Sequence, residues 1–169
     1  MSPIKNPRIA PTCILAMLLA PVVSLADSEI ERRVPARPDG LVTISNISGS
    51  VTVSGWDRNE VEVTGFLGRG VEEVEIDSSG NVTEIEVELM RRSGHGWGGD
   101  ARLEIRVPEG SDLDIEVVSA EVEIDGVSGE LTVESVSGSI EIEGDAKALD
   151  LEAVSGSIEV EASVEQLEV

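Results

Sequence analysis

The sequence predicts an all-β protein, a parallel β-solenoid or β-helix-like stack of short strands with a strand–turn unit of about nine residues and 18 residues per coil. Three observations carry this expectation. Apolar and polar residues alternate strictly at Val42/Ile44, Val51/Val53, Val61/Val63, Ile85/Val87/Leu89 and Leu103/Ile105/Val107, the period-two mark of strands with one buried face. No window of similar length shows a helical 3.6-residue stripe. From Asp112 onward the alternation also becomes metrical.

The first element is a targeting segment. Lys5 and Arg8 precede an apolar run from Cys13 to Leu25, and Ser24–Ala26 supplies the small residues at which a secretory leader is cut. The run is shorter than the ~20 residues of a spanning helix, and Pro21 breaks it. Residues 1–26 are therefore read as a signal peptide cleaved after Ala26, residues 27–39 as an N-terminal linker, and residues 40–169 as one β-solenoid domain.

Within the domain, Asn46–Gly55 (NISGSVTVSG) introduces the unit. Between Phe66 and Val107 the beat is lost: longer strands are expected at Val71–Asp77, Val82–Met90 and Arg102–Pro108, with glycine-rich connections. Cut into nines from Asp112, the rest reads DLDIEVVSA, EVEIDGVSG, ELTVESVSG, SIEIEGDAK, ALDLEAVSG, SIEVEASVE, QLEV. The second position holds Leu113, Val122, Leu131, Ile140, Leu149, Ile158 and Leu167, and the fourth Ile115, Ile124, Val133, Ile142, Leu151, Val160 and Val169. The seventh, Val118, Val127, Val136, Asp145 and Val154, supplies a third apolar residue at most corners, followed by Ser and then Gly or Ala. The hexapeptide VSGSIE recurs with an 18-residue offset, at Val136 and Val154. Constant unit length favours stacked coils over an antiparallel meander, whose loops are free to vary. The calcium-binding nonapeptide solenoid fits poorly, since VSG turns lack its paired glycines and aspartate.

Charge narrows the function. The chain carries 12 Lys+Arg against 34 Asp+Glu, a net charge of −22. Without residues 1–26 it has 10 basic residues, and the net charge is near −24. Such a surface repels phosphate backbones and anionic headgroups, so neither nucleic acid nor membrane insertion after signal cleavage is expected. Cys13 is the only cysteine and lies in the leader, which leaves no disulfide or thiol chemistry downstream. Tyr is absent and Phe66 is the lone phenylalanine, so aromatic stacking on sugars or bases has little to work with.

Candidate chemistry is sparse. The sole histidine, His95, lies in RRSGHGWGGDAR with Trp97 and Asp100 nearby. One His and one Asp are too few for a closed zinc site, and a hairpin tip is the simpler reading. Trp56 is expected to cover an end or corner of the core, with Asp57 capping the following turn. In an 18-residue register, Glu123, Glu141 and Glu159 stack on one outer face, and Asp114, Thr132, Asp150 and Glu168 on the other. A third column at the strand ends holds Glu116, Asp125, Glu134, Glu143, Glu152 and Glu161. Weak divalent cation binding along these columns is the functional alternative to a solvated face that resists aggregation. A polysaccharide lyase needs basic groups to steady its sugar, yet Lys147 is the only basic residue from Asp112 to Val169.

Ile47–Gly65 (ISGSVTVSGWDRNEVEVTG), Leu103–Val117 (LEIRVPEGSDLDIEV) and the VSGSIEIEG repeat together resemble the bacterial putative-adhesin family, DUF4097, over Gly40 to the C-terminus. The resemblance implies a solenoid-like β fold in the cell envelope, with no catalytic residue and no cofactor to carry over. Relatives continue through more repeats, whereas this chain stops inside one at QLEV. A fragment and a last coil covered by a partner are both left open. The expectation is a non-enzymatic, exported, adhesin-like structural or interaction module of the bacterial periplasm or surface, with no catalytic, cofactor or metal residue assigned. Its partner is an envelope protein or surface ligand not named by the sequence. The alternatives are a calcium- or cation-responsive binding module and a carbohydrate-active enzyme.

Overall fold

The structure, a computed structural model, describes residues 28–90 and 99–168. The leader, the stretch 91–98 with His95 and Trp97, and Val169 lie outside the described residues. Eight strands follow one another: β1 (Ser28–Pro35), β2 (Leu41–Trp56), β3 (Glu60–Leu67), β4 (Val71–Ser79), β5 (Val82–Leu89), β6 (Ala101–Pro108), β7 (Asp112–Asp125) and β8 (Glu130–Glu168). They form a single sheet that is nearly closed and barrel-like in outline. Among the described residues there is no helix long and apolar enough to cross a membrane.

Register shows how the sheet is wound. The first half of β2 (Leu41–Ser45) pairs in parallel with β5, and its second half (Gly49–Trp56) with β6. On its other side β2 pairs in parallel with β7 along almost its whole length, from Leu41↔Asp112 to Ser54↔Asp125. β7 then pairs in parallel with β8 from Leu113↔Leu131 to Asp125↔Glu143, an offset of 18 residues. Each of β2, β7 and β8 thus passes along one face, turns a corner and returns along a second face. Backbone bonds bridge the opposite corner too: Asp112 N–H donates to Gly40 O (3.0 Å), and Ser128 N–H to Glu109 O (2.7 Å).

The segment where the beat is lost forms a coil of its own. β5 lies on the first face and β6 on the second, both against β2, so a coil broken by a long corner stacks on the far side of β2 from β7. Chain order and stacking order therefore differ. Beyond this coil the sheet turns antiparallel: β4 flanks β5 on one face, while β3 and then β1 flank β6 on the other. The fold is consequently mixed rather than parallel throughout. Residues 27–39, expected as a linker, contain β1, which pairs with β3 from Ser28↔Leu67 to Pro35↔Glu60. Its alternation is masked in SEIERRVP, where only Ile30 and Val34 are apolar and half-buried.

The core runs the length of the stack as aliphatic columns. On the first face Ile85, Ile44, Ile115 and Val133 sit in register, and on the second Ile105, Val53, Ile124 and Ile142; all are buried. β-Branched residues suit this role, because their stiff side chains pack on identical neighbours one rung away. The two corners are built differently. At one, Val127 and Ala146 point inward. At the other the inward residues are Val117 and Ser135, and the seventh-position valines Val118 and Val136 face out. The expectation that this position lines the core holds at one corner only. Close stacking at the second corner requires small residues: a Cβ on Gly138 would strike the carbonyl of Ala120, and one on Gly156 that of Gly138. Both glycines also have positive φ, 149° and 154°.

Candidate functional site: carboxylate columns and a corner groove

Outward positions of the stack carry the charges. On the second face Glu123 is in register with Glu141, and toward the N-terminal strands the column continues through Thr52, Glu104 and Thr64. Threonines thus separate the carboxylates in the older half of the column, while the last coils place them side by side. Parallel neighbours stand ~4.8 Å apart, and like charges at that distance repel. The Glu141 carboxyl is held above its ordinary range, first by partial desolvation and then by Glu159, Glu123, Glu143 and Glu121. A second crowded cluster occurs where β4 meets β5: Glu88 is likewise pushed up, by desolvation first and then by Glu73, Glu75, Glu72 and Glu86.

The third expected column divides in two. Glu116 and Glu134 stack at the end of the first face, whereas Asp125 and Glu143 stack at the end of the second. The nine-residue unit makes them equivalent in sequence, but successive units lie on opposite faces. Among the described residues, no group of three or more His, Cys, Asp or Glu side chains is placed to hold a metal ion.

At the N-terminal end of the stack the charge reverses. Glu62, whose alternation with Val61 and Val63 promises an exposed side chain, is buried. It is in register with Arg33 on β1 and Arg106 on β6. Arg33 Nε donates to Glu62 Oε1 (2.6 Å), and Arg106 Nη1 to Oε2 (3.3 Å). The carboxylate in turn raises the proton affinity of Arg33, by hydrogen bonding first and then by charge. Sequence reasoning missed this cluster because it required β1 as a strand. Trp56 closes the same end: its Nε1–H donates to Glu60 O (2.8 Å), and Arg58 and Arg106 lie 4.9 and 5.9 Å from the ring centroid. The indole thus covers a corner of the core as expected, but the exposed Asp57 makes no side-chain hydrogen bond among the described residues. The turn is held by the tryptophan instead.

The remaining feature is concave. Along the corner where the valines face out, a groove of about 460 Å³ crosses successive coils, with Ile47, Val118, Val136 and Val154 on one side and Glu116, Glu134 and Glu152 on the other. Its lining includes Asn46 and Ser135, which are 2% and 4% exposed. No sequence-level argument singled it out, although the 18-residue recurrence of an unpaired valine before Ser-Gly is its visible trace.

A search of curated proteins finds no match. Among solved structures, a putative cell adhesion protein from Clostridium sporogenes superposes with a TM-score of 0.47 at 11% identity, covering 83% of this chain and 99% of that one. A putative adhesin from Bacteroides fragilis gives 0.42 at 14% identity, covering 82% and 77%. One from Parabacteroides distasonis gives 0.34 at 16%, covering 83% and 77%. The family model of Toastrack DUF4097 matches residues 4–169, and the chain belongs to that family.

Proposed function

We propose that the chain is an exported, non-enzymatic module of the bacterial cell envelope that acts by presenting its stacked faces and corners to a partner, in the manner of an adhesin. The observation that carries this reading is the geometry of the outward side chains. Their spacing is set by the rungs, so the coils display ordered rows of charge and apolar surface without converging on a reaction centre. Leader-like residues 1–26 and membership of the Toastrack family support an extracytoplasmic location. An 18-residue coil made of two nine-residue units is the rule by which this surface is built. It is supported by the β7–β8 register and by the approach of Gly156 to Gly138 one turn further on.

Cells producing a tagged chain test this reading when they are fractionated and treated with a membrane-impermeant crosslinker. The expected product begins at Asp27, sits in the envelope fraction and crosslinks to another envelope component. A full-length chain retained in the cytoplasm contradicts the reading. Crowding at Glu141 favours a second possibility, that divalent cations relieve the repulsion and tune binding. Calorimetric titration with calcium separates the two: absence of heat and of any melting shift removes the cation-responsive reading.

A further inference from the structure

The corner groove has features that the fold itself does not require. Val118, Val136 and Val154 are 45, 50 and 73% exposed. One exposed valine needs no explanation, but three in a row on successive coils make a continuous apolar strip across the rungs. Glu116, Glu134 and Glu152 run beside the strip, which gives the groove one apolar wall and one anionic wall. Two buried polar atoms in its lining, Asn46 Oδ1 and Ser135 Oγ, find no hydrogen-bond partner among the described residues. Leaving such atoms unpaired costs about 1–3 kcal/mol each, a cost that an occupant of the groove removes.

We propose that this groove docks a cationic amphipathic α-helix belonging to a partner protein. The inference rests on the reading of the chain as an interaction module and names the partner that its most structured surface fits. Charge complementarity selects a basic occupant, since the wall is carboxylate and the only basic residue in the last coils is Lys147. Spacing selects a helix. The valines recur every rung, at ~4.8 Å, and a helix returns a residue to the same face every turn, about 5.4 Å. Apolar residues at i, i+3 or i+4, and i+7 therefore keep step with Val118, Val136 and Val154. Lysines or arginines on the adjoining stripe then meet the glutamates. From β5 to the last coil the groove crosses five rungs. That is ~19 Å, the length of about 13 helical residues.

The probe is a synthetic peptide of about 14 leucines and lysines in helical amphipathic order, titrated into purified residues 27–169 at physiological ionic strength and followed by fluorescence anisotropy. Its companions are a scrambled peptide of the same composition and one in strict Leu–Lys alternation. The helical peptide is expected to bind about tenfold tighter than either companion. Val136→Ser and Glu134→Gln should each weaken it several-fold, whereas Glu123→Gln on the second face should leave it within about twofold. All three side chains are exposed, and unchanged melting curves confirm that the variants fold. Equal binding of all three peptides reduces the effect to net charge and overturns the proposal, as does undiminished binding by Val136→Ser. Preference for the alternating peptide assigns the groove to an extended segment and also overturns it. So does concentration-dependent self-association that Val136→Ser abolishes, because the occupant is then a second copy of this chain. Peptide binding by the purified protein is independent of cellular location. Failure here with an envelope-located, crosslinked chain sinks the groove alone, whereas a cytoplasmic chain sinks the module reading.

Discussion

Gly138 shows how much a single residue carries in a stacked fold. Its φ of 149° and the carbonyl of Ala120 directly beneath it leave no room for a Cβ. Gly138→Ala is expected to destabilise residues 27–169 by about 2 kcal/mol or more, the sum of backbone strain and rung separation, in urea unfolding. Glu62 is the second such position. Glu62→Gln removes the charge that two arginines share, and is expected to cost about 1.5–3 kcal/mol by the same measurement. The two residues differ in legibility. Ser-Gly recurring at fixed intervals announces a tight corner to any reader of the sequence. Glu62 reads as one more outward carboxylate, because its burial depends on Arg33 and Arg106 arriving from elements far away in the chain.

The rungs of the stack share one pattern but differ in exposure. Ile124 lies in an inner coil and is 1% exposed, whereas the equivalent Ile158 in the last coil is only partly buried. Ile124→Ala is expected to cost about 2–5 kcal/mol, and Ile158→Ala less than half as much, in thermal or urea unfolding. The carboxylate columns add a pH dependence. Glu141 and Glu88 hold protons more tightly in the folded chain than at the ordinary value of 4.5. The native state therefore binds more protons than the unfolded one in that range. The resulting stability is fully present below pH 4.5 and is lost as pH rises through the higher folded-state values. Melting temperature should accordingly rise when the buffer is lowered from neutrality toward pH ~5. Glu141→Gln should raise the melting temperature at neutral pH and flatten this dependence. At this scale the sequence was readable wherever the meter held. It misled where one unit type serves two corners: Val127 is buried and Val136 exposed, although both occupy the seventh position.

For the molecule as a whole, the winding order is what periodicity could not reveal. β2 sits between the β5–β6 coil and β7, so contacts between neighbouring coils span long stretches of chain at one end and only 18 residues at the other. Charge follows the same axis. Arginines gather on β1, β6 and the β2–β3 turn, while beyond Arg106 only Lys147 is basic. Polarity along the stack thus separates a well-paired, capped end from an anionic end that bears the groove. Both the carboxylate columns and the groove exist only if coils of 18 residues lie in parallel register through β8. The chain after Ala26 has no cysteine, so an engineered pair reports that register directly. In Glu141→Cys/Glu159→Cys the two residues occupy equivalent positions one coil apart, close enough for a disulfide. In Glu141→Cys/Asp150→Cys they lie on opposite faces, whereas an antiparallel hairpin turning near Asp145 would bring them together. Mild oxidation and non-reducing mass spectrometry should show an intramolecular disulfide in the first variant and free thiols in the second, and the reverse outcome contradicts the coil.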